Sequence, residues 1–186
     1  MNKKEIKERL KKELKPGRYE HTLGVAYTSA CLAMRYGFDM QQAELAGLLH
    51  DCAKCIPNKE KLSMCDKKKI AYSKVEKKNP ELLHAKLGAV VAKEVYKVKD
   101  AEILSAIECH TTGKPAMNLL EKILFVADYM EPNRNKAPQL DEVRRLAFQD
   151  LDECLIFILK QTLDYLEGAE ADCDPMTLET YHYYTK

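Results

Sequence analysis

The sequence predicts an all-α protein, and three observations carry that prediction. Apolar residues recur at three- and four-residue spacing along most of the chain. No segment sustains period-two alternation with β-branched enrichment. Breakers such as Pro16-Gly17, Gly37, the run Thr111-Thr112-Gly113-Lys114-Pro115 and Pro132 punctuate the periodic stretches. At 186 residues the chain reads as one domain, long enough to bury a core without disulfides or a structural metal, so any metal is expected to be functional.

Taken in order, Asn2 to Leu14 carries Ile6, Leu10 and Leu14 among Lys and Glu, which predicts an amphipathic packing helix stopped by Pro16-Gly17. Arg18 to Tyr36 forms the second helix, with His21 in its first turn and Gly37 as its stop. Asp39 caps a third, which runs to His50-Asp51. Two helices joined by so short a turn pack antiparallel, so His21 and His50 fall at the same end of the pair. Lys54 to Lys78 is Lys-rich and less periodic, a loop with short helices that reads as a solvated face or as the border of a phosphate site. Pro80 opens a helix with His84 one turn in; Asp100 to Cys109 leads to His110; Asn118 to Met130 is an apolar helix containing Asp128 near its end. Helices are expected again over Leu140 to Phe148, Leu151 to Leu166 and after Asp174-Pro175.

Composition narrows the function. Thirty Lys and Arg against 29 Asp and Glu leave a net charge of +1, which supplies no general field for nucleic acid or an anionic membrane. The longest apolar run, Cys154 to Leu159, falls far short of the ~20 residues of a membrane span, and the first residues lack a signal-peptide core, so a cytoplasmic protein is expected. Seven scattered cysteines read as reduced thiols, and Cys52-Ala53-Lys54-Cys55 lacks both the βαβ setting of a redox motif and the second pair of a zinc tetrad.

The chemistry gathers around His50-Asp51. His21, His50, His84 and His110 recur on successive helices that a bundle brings together. Asp128 sits in the apolar run Ile123-Leu124-Phe125-Val126-Ala127, where a carboxylate needs a cation or a hydrogen-bond partner. Mixed imidazole and carboxylate ligands suit Fe, Mn, Co, Ni or Zn, and a shared carboxylate can bridge two ions.

The order His21, His50-Asp51, Asp128 resembles the H...HD...D signature of HD-domain metal-dependent phosphohydrolases, an all-helical family, and is similar to its YqeK-type branch of symmetrical bis(5'-nucleosyl)-tetraphosphatases. The matching stretches are Arg18 to Val25, His50 to Lys54, His110 to Gly113 and Ala127 to Arg134. The resemblance implies a metal-site core over about 18–134, with C-terminal packing helices over 139–186. It implies that His21, His50, Asp51 and Asp128 ligate a metal, iron first, and that one or two ions bind. Lys54, His84 and His110 would act with Asp51 in catalysis, His84 and His110 as second-metal ligands or as phosphate contacts. Arg18, Gly24, Lys54, His84, His110, Thr111, Thr112 and Arg134 are the residues the resemblance places beside the substrate. The implied reaction is metal-assisted hydrolysis of diadenosine tetraphosphate to two ADP, with ADP or GDP as a ligand, no nucleic-acid or membrane partner, and a homodimer compatible. Another HD-type nucleotide phosphohydrolase, or a nucleotide-binding regulator, is the alternative.

Overall fold

Eleven α-helices and one 3-10 turn, with no strand, make up the computed structural model, which describes residues 1–186. The helices are α1 (Lys3–Glu13), α2 (Pro16–Tyr36), α3 (Met40–Leu49), α4 (Asn58–Lys68), α5 (Lys74–Lys78), α6 (His84–Glu94), α7 (Ala101–Cys109), α8 (Leu119–Met130), α9 (Leu140–Ala147), α10 (Leu151–Gly168) and α11 (Pro175–Tyr184). No helix is long and apolar enough to cross a membrane.

Short polar side chains start the elements that matter. Asp39 accepts from the N–H groups of Gln41 and Gln42 at the start of α3, and Asp100 does the same for Glu102 and Ile103 at α7. Asn118 and Glu121 close a reciprocal capping box on α8. Two boundaries differ from expectation. Pro16 does not stop α1, which ends at Glu13 with Leu14 as its C-cap; it occupies the first turn of α2, where its missing N–H costs nothing, and this moves His21 one turn deeper into the helix. Pro80 opens a four-residue 3-10 turn, Pro80–Leu83, and α6 begins at His84 itself. Within the Lys-rich stretch, α4 and α5 are regular helices whose last turns carry Lys67, Lys68, Lys77 and Lys78, favourable near the negative end of a helix dipole.

One apolar core, from Ile6 to Leu159, joins α1, α2, α3, α6, α7, α8, α9 and α10, and a smaller cluster of Ala53, Cys65, Leu83 and Leu87 seals α4 against α6. The pairing of α2 with α3 is the most extensive in the molecule. It depends on Gly47: a Cβ there would lie 2.6 Å from Ala26 Cα, so only glycine lets the two backbones approach this closely. That approach sets the distance between His21 and His50.

Candidate metal centre

Five helices deliver six side chains to one point. His21 comes from the second turn of α2, His50 from the end of α3 with Asp51 after it, His84 from the start of α6, His110 from the end of α7 and Asp128 from the last turn of α8. His21 Nε2 lies 3.3 Å from His50 Nε2 and 2.9 Å from Asp128 Oδ1. His84 Nε2 lies 3.2 Å from His110 Nε2. Asp51 stands between these pairs. Its Oδ2 is 3.4 Å from His50 Nε2 and 3.9 Å from His21 Nε2, while its Oδ1 is 3.2 Å from His84 Nε2 and 3.9 Å from His110 Nε2. The four histidines and Asp51 are buried; Asp128 is partly so.

The outward nitrogens fix the tautomers. Nδ1 of His50, His84 and His110 lies 2.7, 2.6 and 2.7 Å from the carbonyls of Gly47, Glu81 and Ile107. A carbonyl only accepts, so each Nδ1 carries the proton and each Nε2 turns a lone pair inward. His21 Nδ1 lies 3.1 Å from Glu131 Oε1, the carboxylate–histidine arrangement that orients metal-ligating imidazoles. Lone pairs and carboxylate oxygens thus face one another at 2.9 to 3.9 Å, an arrangement that repels unless a cation lies among them. The donor set therefore fits a transition metal. Three overlapping groups could hold an ion: His21, His50 and Asp51; His50, His110 and Asp128; and Asp51, His84 and His110.

The electrostatics agree. Burial opposes ionisation of Asp51, yet His50 and His84 hold its carboxyl well below the usual range. Asp128 is likewise held far down, against burial, by His21, His50, His110 and Arg134. Burial opposes charging His50 too, but Asp51 and Asp128 outweigh it and raise its pKa. Burial together with repulsion from His50 and His84 pushes His110 down to about 3. Two firmly ionised carboxylates in a closed shell of imidazoles make a pocket that favours positive charge.

A cavity of about 280 Å³ opens over these ligands, lined by Arg18, Lys54, Thr111 and Arg134 beside Asp51, His84, His110 and Asp128. Arg18 Nη1 pairs with Asp51 Oδ2 at 2.8 Å, and Arg134 Nη2 with Asp128 Oδ1 at 3.1 Å. Lys54 Nζ lies 3.3 Å from His84 Nδ1 and 3.4 Å from Glu81 Oε1. Of the residues expected beside the substrate, Gly24 and Thr112 are not brought here. Gly24 does not line the cavity and lies against Glu131, where a Cβ would meet Oε2 at 2.1 Å. Thr112 donates to the carbonyl of Gly113 and lines neighbouring clefts. In the Cys52-Cys55 pair, Cys52 is buried and donates to Gly88 O, its thiol pushed far up by burial and by Asp51, which suits a core residue rather than a redox thiol.

Two supporting residues escaped the sequence reading. Glu131, 1% exposed, backs His21 through Oε1 and accepts the Asn133 N–H through Oε2 at 2.8 Å. An acid just past a helix end gives no signal of its own, although Glu131 follows Asp128 by one turn on the same face. Lys61, with a fully buried side chain, reaches Glu81 Oε2 at 2.8 Å, Asn58 Oδ1 at 3.2 Å and the Lys54 carbonyl at 3.4 Å. Lys61 therefore steadies both the segment that bears Lys54 and the residue whose carbonyl holds His84. Inside a charge run nothing distinguishes it.

Comparison with known proteins places this geometry. The family model described as "HD domain" matches residues 18–133. The symmetrical bis(5'-nucleosyl)-tetraphosphatase of Bacillus subtilis (strain 168) is 42% identical, with 98% of this chain and 97% of that protein covered. The protein of the same description from Staphylococcus aureus (strain NCTC 8325 / PS 47) is 33% identical over 99% and 95%. A solved structure from Clostridium acetobutylicum, described as a predicted HD superfamily hydrolase involved in NAD metabolism, superposes with a TM-score of 0.96 at 36% identity and covers 100% of this chain and 97% of its own. Shared architecture, signature and near-complete coverage agree: the chain belongs to the HD-domain family, in the group of the symmetrical bis(5'-nucleosyl)-tetraphosphatases.

Proposed function

We propose that this protein hydrolyses dinucleoside polyphosphates, splitting diadenosine tetraphosphate into two ADP, with a transition metal held by His21, His50, Asp51 and Asp128. The names of its full-length relatives support the substrate. The observation that carries the site is the placement of Asp51, whose two oxygens face two different histidine pairs. With Asp51 facing both pairs, His84 and His110 would be the residues to hold a second ion beside it, which would add to the charge neutralisation at the phosphates. Iron is the metal we assign, on the resemblance of the ligand set.

When bound, the metal supplies Lewis acidity: it activates water near neutral pH and neutralises charge on a phosphoryl oxygen. The chain does the rest. Arg18 and Arg134, each paired with a metal-ligating carboxylate, and Lys54 beside His84 set three cations around the cavity, placed to receive the phosphates and stabilise charge that grows as the central P–O–P bridge breaks. Buried imidazoles with fixed tautomers present their lone pairs without reorganisation. One water is consumed per bridge, its hydroxyl passing to one phosphorus while the other ADP leaves with the bridging oxygen.

The test is product analysis on protein purified anaerobically, with metals quantified. Two ADP and no AMP or ATP are expected from diadenosine tetraphosphate. AMP plus ATP, or no reaction, would reject the reading. Asp51→Asn should lower both metal content and turnover by more than the ~10–100-fold that loss of a supporting residue costs, with the helical fold intact.

A further inference from the structure

Beside the cavity over the metal ligands lies a second of about 290 Å³, and the two share Leu82 and Thr111 as a common rim. Their linings are opposite in charge. Arg18, Lys54 and Arg134 face the first. Glu76, Glu108, Asp174 and Glu179 face the second, whose one lysine, Lys86, is already held by Glu76 at 2.8 Å and by the Ala71 carbonyl at 3.0 Å. Glu76 and Asp174 are also committed to helix caps. Glu108 and Glu179 are exposed acceptors, free of protein partners. Tyr72, Leu82 and Met176 add apolar surface, and the Tyr72 ring is steadied by its hydroxyl, which donates to Asp66 at 2.9 Å.

We infer that this second cavity is the subsite for one purine nucleoside of a dinucleoside polyphosphate, an inference that rests on the proposed function. Each cavity falls at or below the small end of the ~300–1,000 Å³ typical of ligand sites, and a molecule with two nucleosides on one polyphosphate needs more than either alone. Carboxylates repel phosphates but accept hydrogen bonds from ribose hydroxyls and from ring or exocyclic N–H groups, while Tyr72 and Met176 offer faces for a flat base. The charge contrast also sets the direction of binding. Phosphates are driven across the Leu82–Thr111 rim toward Arg18, Lys54 and Arg134, and the nucleoside stays behind.

The experiment is calorimetric titration of metal-loaded wild type, Tyr72→Ala and the double variant Glu108→Gln/Glu179→Gln. The ligands are a methylene-bridged, non-hydrolysable diadenosine tetraphosphate and inorganic tripolyphosphate, with cleavage of the natural dinucleotide followed in parallel. Both variants should bind the dinucleotide analogue about tenfold more weakly, the scale of one lost base stack, with tripolyphosphate affinity held within about twofold. Exposed Glu108 and Glu179 keep the second variant independent of folding. Equal losses for both ligands, no loss for either, or a wild type that binds the analogue no tighter than tripolyphosphate would overturn the subsite. A wild type that binds the analogue through these residues but releases no ADP would support the subsite and reject the proposed reaction.

Discussion

Replacing Glu131 by Gln isolates the contribution of one buried charge to metal binding. The carboxylate is 1% exposed and touches His21 Nδ1 at 3.1 Å through one oxygen, while the other accepts the Asn133 N–H at 2.8 Å. A hydrogen bond to an ionised group contributes ~1.5–3 kcal/mol, a neutral one ~0.5–1.5, so the exchange forfeits roughly 1.4 kcal/mol of support for His21. That equals about tenfold in metal affinity, the lower end of the ~10–100-fold range for residues behind a ligand. Glutamine can keep only one acceptor. If its oxygen stays on His21, its NH2 meets the Asn133 N–H, and the loop after α8 loosens by about 1 kcal/mol. Competition against a chelator of known affinity reads the first effect, and thermal unfolding of the metal-free protein the second. Metal affinity unchanged within about twofold would refute the claim that Glu131 tunes His21.

Four other outcomes are expected. Gly24→Ala brings a Cβ to 2.1 Å from Glu131 Oε2, so Glu131 must leave its place; metal affinity should fall at least as far as in Glu131→Gln, with ~1–3 kcal/mol of lost stability from overpacking, read by the same titration and by denaturant unfolding. Lys61→Met should cost about 2 kcal/mol, less than the ~3–5 of a fully buried pair because Glu81 is 43% exposed and keeps Lys54, and turnover should fall as Lys54 and His84 lose their support. Glu121, held below its usual pKa of 4.5 against burial by Lys114, Ser105 and the Asn118 N–H, gives stability that is present above 4.5 and lost as pH falls through the lower folded value; Glu121→Gln should flatten that acid limb of a stability–pH curve. Metal affinity should fall on acidification below about pH 6.5, since protons compete for the imidazole lone pairs, and a flat affinity down to about pH 5 would exclude histidine ligation.

Much of the fold was legible because its helices are amphipathic and begin at local signals: Asp39 caps where its sequence suggests, and Asp100, Asn118 and Asp174, at the expected starts of three later helices, cap them as well. Histidines at successive helix ends, with Asp128 in an apolar run, declared themselves as candidate ligands because such placements are costly without a partner. Other features were hidden for stated reasons. Pro16 suits the end of one helix and the start of the next, and only the extended backbone at Leu14, the C-cap of α1, decides between them. Gly24 and Gly47 look alike in sequence, yet one makes room for a carboxylate and the other for a neighbouring backbone. Lys61 is fully buried amid exposed lysines, a difference set entirely by tertiary packing.

Three of the four imidazoles lean on main-chain carbonyls, those of Gly47, Glu81 and Ile107. The three side chains have nothing in common, because none of them takes part. A carbonyl is present whatever residue occupies the position, so substitution at 81 or 107 leaves the acceptor in place as long as the turn or helix end holds, while position 47 is restricted to glycine by the approach of α2 and not by its carbonyl. Orientation of His50, His84 and His110 is therefore written into backbone geometry and insulated from sequence drift, leaving the cavity walls free to change substrate without disturbing the reactive centre. His21 is the exception: its support is a single side chain, so mutation has its most direct access to the metal there.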